Sequence, residues 1–161
     1  WSAVDAHTFI CAVRQLPVEG LEEALREPSH HGLRELQALA PFPLAIDEST
    51  HLLDQNFWLA PPVQRLVIKP ARCGGLLASI ELALRARAAG LEVIITSSLE
   101  SACGLTACAH LAAAVAPFST HGLASADWFV HDTGLPPVIE NGQMLIPKQP
   151  GIGFNNSFIS S

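Results

Sequence analysis

Three stretches of this chain, Pro43 to Ile46 (PLAI), Leu66 to Ile68 (LVI) and Val93 to Ile95 (VII), are apolar at every position instead of alternating apolar with polar. An extended run of that kind has no solvent face, so it belongs in a sheet covered on both sides, the usual setting of parallel strands joined by helices. The intervening sequence supplies the helices. Ser2 precedes Val4, Phe9, Ile10 and Val13 at helical spacing, which predicts a capped helix to about Leu16. Leu33 to Ala40 is amphipathic and is stopped by Pro41 and Pro43, and His51 to Leu59 has room for a short helix before Pro61-Pro62. Leu76 to Ala89 is rich in helix formers and ends at Gly90, and Cys103 to Ala116 is alanine-rich and ends near Pro117. A further strand, VEGL, leads into Glu22.

Two architectures bury strands on both faces. A doubly wound sheet gathers its ligand at one switch point, often over a glycine-rich loop after the first strand, and neither GxGxxG nor GxxxxGK is present. A (β/α) barrel builds its site from all of its strand ends. In this chain each strand in turn ends in polar groups, Glu22-Glu23, Asp47-Glu48, Lys69 and Ser97-Ser98, spaced by roughly one strand plus one helix, so the expected fold is an α/β TIM-type barrel. Trp128 to Asp132 (WFVHD) is the candidate for a last barrel strand or its approach, and the Pro and Gly content of 134–153 predicts a meandering course.

Composition removes several classes of function. With 49% hydrophobic and 15% charged residues the chain is globular. Nine Lys and Arg stand against 15 Asp and Glu, with no basic cluster to neutralise a phosphate backbone, so nucleic acid is not an expected partner. No run reaches the roughly 20 apolar residues of a membrane span. The start, WSAVDAHTF, has neither the basic region nor the apolar core of a signal peptide, and the absence of an initiator methionine reads as truncation. Cys11, Cys73, Cys103 and Cys108 lack CxxC spacing and read as reduced thiols of a cytoplasmic protein, while the seven histidines form no HExxH pattern that would indicate zinc.

Glu22 and Asp47 are hard oxygen donors of the kind Mg²⁺ prefers, and Mn²⁺ suits the same ligands. Glu22-Glu23 can also be solvated loop acids. Asp47 directly follows a buried strand, where a carboxylate needs a partner or a metal. Lys69 ends an equally apolar strand. Beside a divalent cation its ammonium form is disfavoured, which suits acid-base chemistry near neutral pH, although a strand-end lysine can simply reach to solvent. Ser97 and Ser98 offer hydroxyls and amides ahead of a helix, suited to a substrate carboxylate or to plain capping.

Taken in order, LEEAL, PLAIDES, LVIKPxxxGG and ITSSLESxxGLTAxxHLAAA resemble the strand-end motifs of the enolase superfamily, and most closely its o-succinylbenzoate synthases, over roughly Trp1 to Gly153. The resemblance implies that Glu22 and Asp47 are two of three Mg²⁺ ligands and that Lys69 is the second of two active-site lysines, facing the intermediate as a cation. It implies Ser97 and Ser98 as substrate-seating groups, with Glu48 and Glu100 as supporting carboxylates behind the site. The implied reaction is dehydration of 2-succinyl-6-hydroxy-2,4-cyclohexadiene-1-carboxylate to o-succinylbenzoate, on the route to menaquinone or phylloquinone. A superfamily base abstracts the proton α to a carboxylate while the metal stabilises the ene-diolate.

Two departures qualify that expectation. Ala24 stands where the family usually has proline, and the interval to Asp47 is slightly long around Ser29 to Gly32. The first metal ligand and the lysine pair of the second strand would lie ahead of Trp1. Residues 1–135 are therefore expected to be the C-terminal part of the barrel domain, incomplete at its N-terminus, with 136–161 a tail returning to the capping domain. Alone, such a piece is expected to be poorly stable and inactive. N-succinylamino acid racemase or dipeptide epimerase activity within the same superfamily, and a non-catalytic barrel-derived binding module, are the competing readings.

Overall fold

Four short parallel strands carry the runs read from the sequence: β1 (Leu21–Glu22), β2 (Leu44–Ile46), β3 (Arg65–Ile68) and β4 (Glu92–Ile95). They belong to one sheet in the order β1-β2-β3-β4. Each strand neighbours its successor in sequence, so the order never reverses and the sheet has no switch point of the doubly wound kind; sequential order is that of a barrel. The register sets Glu22 opposite Ala45 and Ile46 opposite Leu66. Leu44, Ile46, Leu66, Ile68 and Ile95 are at most 1% exposed, the two-sided burial that their continuous apolar runs require. The computed structural model describes residues 1–156; residues 157–161, the end of the expected tail, lie outside the described residues.

The helices are α1 (Ala3–Val13), α2 (His30–Leu39), α3 (Gln55–Leu59), α4 (Leu76–Ala88) and α5 (Ala102–Val115). Ser2 caps α1 by accepting from the Asp5 amide at 3.2 Å, as its sequence position implies. α2 begins at His30, ahead of the first periodic apolar residue, because the Ser29 hydroxyl accepts from the Gly32 amide at 3.1 Å. The segment expected as one short helix divides into a 3₁₀ turn, Thr50–Leu52, and α3, whose start is set by Asp54 accepting from the Phe57 amide at 2.8 Å. Gly90, just past α4, has φ +83°, a left-handed terminus that glycine adopts without strain.

The chain forms two compact units, Trp1–Val67 with Leu84–Val93, and Ile68–Ala83 with the chain from Ile94 onward. In the first, α1 lies against α2 and α2 against β2. The Glu92 amide donates to the Gln64 carbonyl at 2.9 Å, and the Arg65 guanidinium reaches the Glu92 carboxylate from both Nε and Nη2 at 2.8 Å. In the second, the Thr96 amide donates to the Ile68 carbonyl at 3.0 Å, and the chain leaving α5 returns at Gly122 to form a parallel bridge with Thr96. A Cβ at Gly122 would stand 2.5 Å from Thr96 Oγ1, so this close approach demands glycine. His121 reinforces the return. Its Nδ1 accepts from the Ile95 amide at 3.0 Å and its Nε2 donates to the Ala116 carbonyl at 2.9 Å, which assigns the Nε2–H tautomer.

Trp128 to Asp132, expected as a last barrel strand or its approach, forms no strand. Ala126–Trp128 is a 3₁₀ turn, and Trp128 and Val130 are 78% and 92% exposed, so nothing covers the faces a barrel strand would bury. The following segment is also more ordered than its Pro and Gly content predicts. It contains an antiparallel hairpin, β5 (Ile139–Glu140) with β6 (Gln143–Met144), turned by Asn141 and Gly142 at φ +51° and +75°. Asn-Gly between short apolar-containing strands is a strong signal for such a two-residue turn.

Candidate active site

In the first unit, Glu22 closes β1 and is exposed, while Asp47 directly follows β2 and is half-buried. Parallel pairing sends both strand ends off the same edge of the sheet. Glu23, beside them, has φ +46° and sends its carboxylate across to the loop after β2. Oε1 accepts from three successive amides, Asp47 at 2.9 Å, Glu48 at 2.8 Å and Ser49 at 2.9 Å. Oε2 accepts from the Ser49 hydroxyl at 2.7 Å. Burial pushes the Glu23 carboxyl up, but the Ser49 hydroxyl and the three amides together outweigh it and hold the group below its ordinary value. Glu48 is exposed, and its amide is one of those three donors. The family resemblance picks Glu22 as the ligand of the pair but assigns Glu23 no role, because an acid pair does not show which member reaches the neighbouring loop.

In the second unit, Lys69 directly follows β3 and is half-buried. Its carbonyl accepts from the Arg72 and Cys73 amides at 2.9 and 3.0 Å, closing the turn that leads to Gly74 and Gly75. Ser97 follows β4 by two residues, and its hydroxyl shares a 2.6 Å hydrogen bond with that of Ser125, brought in by the chain after Gly122. The Ser97 amide donates to the Gly122 carbonyl at 3.0 Å, and the Ser98 amide donates to Glu100 Oε2 at 2.5 Å. Both amides are thus used within the chain, so the hydroxyls, not the backbone, are what these serines can offer a ligand.

The start of α5 is held differently from the expectation. Ser101 occupies the cap position without a side-chain cap bond, and Asp132 Oδ1 instead accepts from the Ala102 amide at 2.8 Å and the Thr133 amide at 2.6 Å. Burial raises the Asp132 carboxyl, and those amides with the Thr133 hydroxyl more than reverse it, leaving it below its ordinary value. Asp132 is thirty residues along the chain from the amide it caps, so no local pattern pointed to it. Glu100 packs over Gly104, where a Cβ would stand 2.6 Å from Glu100 Cβ. Glu100 Oε1 and Asp132 Oδ2 are buried without a hydrogen-bond partner among the described residues. Burial, and secondarily the charge of Glu100, push the Cys108 thiol up to about 12.

Glu22 and Asp47 have the oxygen-donor chemistry of a Mg²⁺ or Mn²⁺ site. Among the described residues no group of three or more His, Cys, Asp or Glu side chains is placed to hold a metal ion. No helix among the described residues is long and apolar enough to cross a membrane.

Residues 1–157 match the model of the enolase C-terminal domain-like family, and the chain belongs to that family. Its α/β architecture is that of the superfamily's barrel domain. An o-succinylbenzoate synthase of Yersinia pestis (strain Pestoides F) is 40% identical over 84 residues, which is 52% of this chain and 26% of that protein. Among solved structures, muconate cycloisomerase from Pseudomonas fluorescens aligns with a TM-score of 0.85 at 25% identity over 97% of this chain and 44% of that one. N-succinyl Arg/Lys racemase from Bacillus cereus aligns with a TM-score of 0.82 at 20% identity, covering 97% and 42%, a likeness of fold alone. The match spans about a quarter of the curated relative's length, and the chain covers less than half of each solved chain. These relatives are enzymes by name.

Proposed function

We propose that this chain is the lysine- and carboxylate-bearing part of a Mg²⁺-dependent dehydratase that converts 2-succinyl-6-hydroxy-2,4-cyclohexadiene-1-carboxylate to o-succinylbenzoate. The observation that carries the reading is the succession of Glu22, Asp47, Lys69 and Ser97 at the ends of sequential parallel strands, in a chain similar to o-succinylbenzoate synthases. Glu22 and Asp47 would hold the cation, with a third carboxylate from sequence outside this chain; Mn²⁺ would serve as well. When bound, the cation supplies Lewis-acid stabilisation of the negative charge that grows on the substrate carboxylate, an effect of several kcal/mol. Glu23 is occupied by the loop it holds, which favours Glu22 as the ligand of the pair.

The reaction removes a proton α to the carboxylate and the ring hydroxyl, which leave together as water. A base outside this chain takes the proton. The Lys69 ammonium faces the carbanionic charge and stabilises it as it develops in the transition state. The Ser97 hydroxyl, steadied by Ser125, and the exposed Ser98 hydroxyl seat the succinyl arm, while Glu48 and Glu100 support the loops that carry these groups. The setting is cytoplasmic and the partner a small carboxylate, with pathway placement before menaquinone or phylloquinone.

N-succinylamino acid racemisation or dipeptide epimerisation is the second reading, because proton transfer at an α-carbon would call on the same strand-end groups, Glu22, Asp47 and Lys69. The deciding experiment gives the full-length polypeptide carrying this chain the cyclohexadiene acid and a panel of N-succinyl amino acids with Mg²⁺. Formation of o-succinylbenzoate that stops with EDTA supports the dehydratase. Racemisation alone selects the second reading, and no turnover of any substrate returns the chain to a binding role.

A further inference from the structure

We propose that Glu23 is a positioning residue: its carboxylate presets the loop after β2, so that Asp47 is held ready for a divalent cation before the cation arrives. The inference rests on the reading of Asp47 as a metal ligand. One oxygen that accepts from the amides of Asp47, Glu48 and Ser49 fixes three successive peptide planes. The second oxygen fastens the Ser49 side chain, and Ser49 is only 7% exposed. β2 anchors the approach to Asp47, since Ile46 is 1% exposed, and Glu23 anchors the exit. Asp47 is therefore clamped from both sides along the chain.

The backbone at Glu23 supports the same inference. A non-glycine residue at φ +46° is held in a sparsely populated region, which persists where surrounding bonds over-determine it. Four hydrogen bonds to one side chain supply that determination. They also give the acid beside Glu22 a task of its own, organising the neighbouring loop. Groups that orient metal ligands commonly change cation affinity ~10- to 100-fold when removed.

The test compares wild type, Glu23→Gln, Glu23→Asp and Glu23→Ala in the full-length polypeptide, by Mn²⁺ titration followed by electron paramagnetic resonance and by amide hydrogen exchange without cation. Glu23→Gln keeps the accepting oxygen and should bind Mn²⁺ within ~3-fold of wild type. Glu23→Ala should bind ~10- to 100-fold more weakly, with faster exchange at Asp47, Glu48 and Ser49. Glu23→Asp keeps the charge but is one methylene short; it should behave like Glu23→Ala, and it carries the test if the alanine variant does not fold. Wild-type affinity in the Asp or Ala variant overturns the positioning role while leaving the metal reading intact. A wild-type protein that binds no Mn²⁺ overturns the metal reading and the positioning role with it.

Discussion

Lys69 follows a strand whose last three residues, Leu66 to Ile68, are buried, and the role proposed for it depends on a charge that a truncated side chain cannot supply. Lys69→Ala in the full-length polypeptide should lower turnover about 100- to 10,000-fold without unfolding it, as loss of a positioned acid-base or cationic group does; unchanged kinetics would remove Lys69 from the reaction. Cys108 makes an opposite kind of prediction. With its thiol pushed up to about 12 by burial and by the Glu100 charge, it stays protonated at ordinary pH, and thiolate is the nucleophile. Peptide mapping after brief iodoacetamide treatment of the native protein should find Cys11, Cys73 and Cys103 alkylated well before Cys108; early labelling of Cys108 would contradict its burial. Asp132 links a residue to pH. Its folded carboxyl titrates below its unfolded value, so the stability it adds is fully present above about pH 4 and disappears as pH falls through the lower folded value. Thermal melts should show Asp132→Asn less stable than wild type near neutrality, with the gap closing in acid.

Among the elements, the strands and their sheet order were legible because solid apolar runs admit few environments, and four polar strand ends in sequence have few arrangements. Helices were legible where a local cap stood beside the periodic pattern, as with Ser2 and α1. The expected strand at Trp128 to Asp132 was not formed, because aromatic and β-branched composition measures fitness for a covered surface, and here the chain leaves Trp128 and Val130 exposed. Thr96 instead meets Gly122, a pairing no strand propensity announces. Gly122→Ala would force a Cβ to 2.5 Å from Thr96 Oγ1 and 3.1 Å from Thr96 Cβ. Overpacking of this kind should destabilise by about 1–3 kcal/mol, read as a lower thermal midpoint, and a neutral result would mean the segment returning at Gly122 yields easily.

For the whole molecule, a cation that binds only the folded state raises its stability by mass action, about 2.7 kcal/mol at a hundredfold excess over the dissociation constant. The full-length polypeptide should therefore melt at a higher temperature in Mg²⁺, and Asp47→Asn should abolish that increase; an equal shift in both would place the cation elsewhere. By itself the sequence determined the kind of sheet, the residues that end its strands and the family resemblance, because burial on both faces and strand-end chemistry are written in consecutive residues. Only the tertiary structure decided which acid of the Glu22-Glu23 pair turns toward the neighbouring loop, that Asp132 caps α5, and that Ser97 is steadied by Ser125. Each of those depends on hydrogen bonds between residues more than twenty positions apart, where direction in space, not local pattern, chooses the partner.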